Sequence, residues 1–326
     1  MPASLAQSVR RRSSPLFLGA LVSLSASCGV AEFDTDPGDE ATSLDNALAL
    51  DSPDAAPGRT LAKNGLGAVA PPRGQTVVAF VELEGGGGRQ LRIATGDDGK
   101  VTGTVDEQVL GAPLVADTAN LSQGLSAACS DGAYTLEGPK WTTTYAWSFQ
   151  AASTPTENSI AAVEQSLREA ANDVVNGAND CGLTDAISAT NRYLGQTTRG
   201  TNIANSTTSI VCGTPDGANV VGFGTLPKGV LAVTCYWYSA GAIVGADVKY
   251  NKGLYHWFAG NAPPSGCTSR YAIEGVGAHE FGHAFGLGHV SESSHPTLTM
   301  STATGPCTNA PATLGLGDVR GLRALY

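Results

Sequence analysis

The stretch HEFGHAFGLGH, residues 279–289, holds three of the five histidines in the chain. His279 and His283 are four residues apart, which on an α-helix puts them on one face about 5–6 Å from each other. Two imidazoles so placed can meet one metal ion. Glu280 follows the first histidine and points to the neighbouring side of the helix, where it can reach a water on the metal without being a ligand itself. A third ligand at the next helical position would face away. Gly286 removes that obstacle, because a residue without Cβ readily takes the left-handed conformation and turns the chain. Gly288 adds further freedom before His289. Three neutral nitrogen donors leave a fourth position for water, whereas a structural zinc is normally closed by four protein ligands.

These residues need elements to hold them. The histidines imply a helix from about 270 to 286. A second helix is marked by Thr154 as a cap, Pro155 at the first helical position and Glu157 three residues after the cap. Its apolar residues Ile160, Val163, Leu167, Ala171, Val174 and Val175 keep a 3.6-residue period, and Asn176-Gly177 ends it. Strands are expected near 189–196, 218–224, 230–239 and 243–250, and a last helix from about 318. Upstream, Val77 to Leu83 reads as a strand, the four glycines 85–88 as a loop and DDGK (97–100) as a hairpin turn.

The zinc string resembles that of the metzincins, a clan of zinc endopeptidases that also carries a methionine turn beneath the metal. Met300, in PTLTMST, stands eleven residues after His289 and is the one methionine besides the initiator. Within the clan, LGLGDVRGLRALY (314–326) resembles the last helix of the matrixins. GFGTLPKGVLAVTCYW (222–237) and GADVKYN (245–251) resemble that family's edge strand and the strand after it. The resemblance covers roughly residues 134 to 326. It implies an α+β fold, a twisted mixed sheet with a backing helix, a zinc helix and a C-terminal helix. It also implies one catalytic Zn2+, a bracing role for Asp318 under the methionine turn, and a substrate rim at Gly229, Leu231 and Ala232 on an edge strand.

Several residues depart from the matrixin pattern. Val290 follows the third histidine where matrixins have Ser. Gly317 precedes Asp318 where they have a second aspartate, which puts their style of activation in doubt. The histidine-rich loop that carries a second zinc has no counterpart, and nothing in the sequence supports a structural calcium ion. CGTPD (212–216) echoes the thiolate switch of matrixin propeptides, but Ile210-Val211 replace the Pro-Arg of that motif. Cys212 is therefore read as a disulfide cysteine in a Gly-Pro turn.

The 326 residues, 42% of them apolar, suffice for one good-sized domain with appendages. Arg10 to Arg12 followed by a short apolar run, Leu16 to Leu24, read as a signal peptide over 1–27. Export follows, either as a secreted protein or with a lipid at Cys28, which lies in LSASC; ordinary cleavage near Ser27 or Ala31 is the alternative. Without Cys28 six cysteines remain, Cys129, Cys181, Cys212, Cys235, Cys267 and Cys307, an even set that suggests three disulfides among fifteen connectivities. Cys267 with Cys307 would enclose the zinc segment, and Cys212 with Cys235 would tie neighbouring strands.

The net charge of −10 is concentrated early, with eight acidic and no basic residues between Glu32 and Asp54. Residues 28–72 read as an acidic flexible tether. Residues 73–133 read as a β-rich N-terminal region, a propeptide or accessory domain, and 134–326 as the catalytic domain. No basic patch with interleaved aromatics points to nucleic acid. The expected function is an exported, monomeric zinc endopeptidase acting on protein or peptide in extended conformation, with Glu280 as general base toward a zinc-activated water. A non-catalytic surface or adhesion protein on the same scaffold is the alternative. A hydrolase acting on something other than protein is a third reading.

Overall fold

The computed structural model describes residues 44–108, 127–184, 186–302 and 304–326, all within one unit, Asp36–Tyr326. The expected signal peptide, Cys28 and the start of the expected tether lie outside the described residues. In chain order the strands are β1 (Leu48–Ala49), β2 (Thr60–Lys63), β3 (Leu66–Val69), β4 (Gln75–Leu83), β5 (Gly88–Thr95), β6 (Val101–Gln108), β7 (Thr135–Leu136) and β8 (Tyr145–Gln150). They continue as β9 (Asn191–Thr197), β10 (Ile210–Cys212), β11 (Val220–Gly224), β12 (Val230–Ser239), β13 (Ala242–Asn251), β14 (His256–Phe258), β15 (Arg270–Ala272) and β16 (Leu287–Gly288). The α-helices that position the site are a backing helix Ile160–Asn176, a histidine helix Ile273–Ala284 and a C-terminal helix Leu316–Leu325.

The main sheet has eight strands in the order β6-β5-β4-β12-β13-β11-β8-β9. Pairing is antiparallel from β6 to β13 and parallel from β13 to β9. A four-stranded sheet, β1-β2-β3-β10, forms a second layer. The fold is thus mixed α+β with few helices.

Alternation along β4 explains the layering, because successive side chains of a strand point to opposite faces. Val78 and Phe80 join the core with the helices, while Val77, Ala79 and Val81 join a second core with Leu61, Leu66 and Ala68 of the small sheet. The backing helix buries Val163, Leu167, Ala170, Ala171, Val174 and Val175. Each of its large aliphatic side chains contributes about 1.5–3 kcal/mol relative to exposure.

Four expectations are corrected here. Residues 44–69 belong to folded structure rather than a flexible tether, because Leu61, Leu66, Ala68 and Val69 supply buried apolar surface between the acidic residues. The β-rich stretch from 75 to 108 is not a separate body, since β4 to β6 extend the main sheet. β12 is not an edge strand, because β4 pairs with it from Val230↔Leu83 to Ser239↔Gln75. The backing helix begins at Ile160 with Ser159 as its cap, whose side chain accepts from the Ala162 amide. Thr154 instead closes a single 3-10 turn, and Glu157 accepts from the Trp257 amide at 3.0 Å.

Three disulfides link Cys129 to Cys181, Cys212 to Cys235 and Cys267 to Cys307. They fit an oxidising compartment. No helix among the described residues is long and apolar enough to cross a membrane.

Candidate metal centre

Every residue of the histidine helix is buried, as expected for a helix apolar on nearly all sides. It ends at Ala284, and Gly286 follows with φ of +94°. A Cβ at Gly286 would strike the carbonyl oxygen of Pro139, so glycine is required by both backbone conformation and space. The turn leads into β16, which pairs with β7 and delivers His289 back toward the helix.

The three ring nitrogens converge. His279 Nε2 lies 3.0 Å from His283 Nε2 and 3.2 Å from His289 Nε2, and His283 Nε2 lies 2.9 Å from His289 Nε2. The far nitrogens explain the orientation of two of the rings. His279 Nδ1 lies 2.8 Å from the Thr299 carbonyl oxygen, and His283 Nδ1 lies 2.9 Å from that of Leu287. A carbonyl only accepts, so both Nδ1 atoms carry the proton and both Nε2 lone pairs point inward. Inward lone pairs at this separation repel unless a cation sits among them. Tetrahedral bonds of about 2.0–2.1 Å would space such nitrogens by about 3.3 Å. The donor set therefore suits a small metal ion.

Burial supports the same state. It depresses His279 to about 4 and His283 and His289 well below the ordinary histidine range, with the neighbouring imidazoles lowering His283 and His289 further. Neutral imidazole is the form that binds metal. Among the described residues, no other group of three or more metal-ligating side chains converges like this.

Met300 packs against Gly282 of the histidine helix. The Asp318 carboxylate accepts from the amides of Thr299 at 2.8 Å, Met300 at 3.1 Å and Gly315 at 2.8 Å. Asp318 thus fixes the turn whose Thr299 carbonyl orients His279. Burial raises its carboxyl to about 6 despite these donors.

Glu280 is fully buried, and its carboxylate accepts from the Thr234 hydroxyl on β12. Its Oε1 atom has no hydrogen-bond partner. Burial, and then the neighbouring Glu82 carboxylate, hold the Glu280 carboxyl well above the usual range. Glu82 itself is pushed by burial to about 8.

The substrate-rim residues are engaged rather than free. The Gly229 amide donates to the Tyr255 hydroxyl at 3.0 Å, and its carbonyl accepts from Glu84 at 2.8 Å. Leu231 is buried at a bulge, and Ala232 pairs with Glu82 on one side and Tyr250 on the other. Cys212 is bonded to Cys235, so it offers no thiolate. His295 pairs with Asp131 at 2.9 Å and His256 with Glu157 at 3.5 Å, both apart from the triad.

Sequence reasoning missed Phe80, Glu82, Thr234 and Glu292. Phe80 stacks on His283, and Glu292 accepts from the Gly87 amide at 2.9 Å and the Thr302 hydroxyl at 3.2 Å. One signal was present: Glu82 interrupts an apolar strand, and a buried carboxylate is costly without a purpose. No family model matches the chain, and no curated protein shows significant similarity to it.

Proposed function

We propose that the chain is an exported zinc endopeptidase of metzincin type, closest in pattern to the matrixins. The observation that carries this reading is Glu280 Oε1, a buried oxygen with no hydrogen-bond partner on the helix that also carries His279 and His283, whose ring nitrogens converge with that of His289. A protein that bound metal only for stability would have no use for that carboxylate, whose desolvation costs several kcal/mol.

When bound, a zinc ion supplies Lewis acidity that brings a water's pKa from about 15.7 toward about 7, and positive charge that favours the ionised form of nearby carboxylates. The three histidines would hold the ion. Asp318 and the Thr299 carbonyl keep His279 aimed. Glu280, steadied by Thr234, would take a proton from the attacking water and return it to the leaving amine, a role worth about 10²–10⁴ in rate. Protein or peptide in extended conformation is the proposed substrate, and the three disulfides suit the proposed export.

A second reading has an observation of its own. His279, Glu280 and His283 are fully buried, which suits a non-catalytic zinc-binding surface protein. Cleavage of an unfolded protein separates the two. The zinc-loaded chain carrying Phe80→Ser, which removes the ring over His283, is compared with the same chain also carrying Glu280→Ala. Cutting by the first and not the second is expected. Equal cutting by both, or none by the first, contradicts the peptidase reading.

A further inference from the structure

The strand that reaches Glu280 is β12, whose Thr234 hydroxyl bonds to it, and the proposed peptidase reading puts an extended substrate beside that strand. One side of β12 is taken by β13 and the other by β4. β4 runs antiparallel to β12 along its whole length, with Phe80 directly opposite Thr234. Phe80 then stacks on His283 and meets His289 edge-on at a centroid distance of 5.4 Å. Glu82, two residues on, comes beside Glu280.

The hairpin tip is fastened as well. The Gly87 amide donates to Glu292 Oε2 at 2.9 Å and to Thr302 Oγ1 at 3.1 Å, on the segments flanking the methionine turn. At Gly88 a Cβ would come within 2.7 Å of His289 Nδ1, so only glycine lets the hairpin close this tightly. Main chain and side chains together seal the triad.

Two observations set this closing strand apart from the stapled part of the fold, although Val77 to Val81 are themselves buried in its two cores. Both Glu82 oxygens are buried without a hydrogen bond of normal geometry, and the nearby Thr304 hydroxyl only partly offsets their burial. Such a group costs the docked strand about 1–3 kcal/mol that an ordinary core residue would not. Moreover, no cysteine occurs between Cys28 and Cys129, and all three disulfides lie within 129–307. Every staple is in the part of the chain that carries the metal site, and β1 to β6 are held only by noncovalent contacts and the chain itself.

We propose that β4 and its turn, residues 75–88, are an internal occupant of the substrate groove: a strand added to β12 that keeps the metal site closed and must leave before a substrate strand can pair there. The proposal relies on the peptidase reading only for what enters the groove. Closure itself is measured by access to the metal. A substrate strand would take the place of β4, antiparallel to β12, with alternate side chains directed at the histidines.

The test uses the full zinc-loaded chain and two variants. Val81→Pro removes a ladder donor in β4, and Phe80→Ser keeps the ladder while removing the ring over His283. Two readouts are taken: the rate at which a chelator strips zinc, and hydrolysis of a quenched extended peptide. The unaltered chain is expected to release zinc slowly and to leave the peptide intact. Both variants are expected to release zinc at least about tenfold faster and to cut, following the loss of roughly 1.4 kcal/mol or more of closure. Faster release without cutting would keep the closing strand and remove the peptidase reading. Equal release rates in all three chains, or cutting by the unaltered chain at the variants' rate, would overturn the proposal. If Val81→Pro fails to fold, Phe80→Ser decides alone.

Discussion

Phe80 lies face to face on the imidazole of His283, with ring centroids 3.9 Å apart and planes 5° from parallel. An aromatic face on a ligand ring excludes water from that side, and burial favours neutral imidazole at His283. The same contact ties the N-terminal strands to the metal site.

Asp318 is the anchor below the site. Asp318→Ala would leave three buried amides without an acceptor, at about 1–3 kcal/mol for each group left unpaired. Stability of the metal-free chain should fall by at least about 3 kcal/mol in urea unfolding. Zinc affinity should drop about 10–100-fold in a competitive titration, because the Thr299 carbonyl would no longer hold His279. Unchanged affinity would disconnect the turn from the ligand.

Gly286 offers a smaller and more local change. Gly286→Ala forces a side chain into positive φ and against the Pro139 carbonyl. The expected cost is about 1–3 kcal/mol, seen as a lower denaturant midpoint, together with weaker zinc binding through displacement of His289. A midpoint equal to the unaltered chain's would show that the turn relaxes without strain.

The disulfide between β10 and β12 separates a structural cysteine from a metal thiolate. Replacing Cys212 and Cys235 together by Ser removes a link across 23 residues of sequence, and stability should fall by about 3 kcal/mol. Zinc content measured after gel filtration should stay the same. Loss of zinc in this variant would return Cys212 to the metal.

The pH dependence of Glu82 has a definite sign. Its folded pKa, about 8, lies above the ordinary 4.5, so the folded chain keeps a proton that the unfolded chain releases. Stability from this group is complete below pH 4.5 and is lost as pH rises through about 8. The metal-free chain should therefore lose stability relative to Glu82→Gln by about 1.4 kcal/mol per pH unit across that window. Denaturant titrations at several pH values measure this difference, and a flat difference would mean that Glu82 is solvated or ionised throughout.

The convergence of the histidines was legible in the sequence because it depends on local spacing. A helical turn sets His279 against His283, and Gly286 permits the bend to His289. Val163, Leu167 and Val174 likewise announced a buried helix by period alone, although Ser159 rather than Thr154 caps it. Pairing across long sequence distances was not legible. Nothing local to GVLAVT says whether its outer edge is free, and its partner β4 lies about 150 residues upstream. Composition also misled: the acidic residues before Asp54 hid the apolar residues of β2 and β3 that follow, which cover the far face of the sheet.

The most direct measurement is X-ray absorption at the zinc edge of the loaded chain after exhaustive dialysis, with His283→Ala beside it. One zinc per chain is expected, with nitrogen scatterers at about 2.0–2.1 Å, outer-shell imidazole features and no sulfur at about 2.3 Å, and with the ion lost in the variant. Absence of stoichiometric zinc, or retention of the same spectrum in His283→Ala, would contradict a metal centre built from His279, His283 and His289.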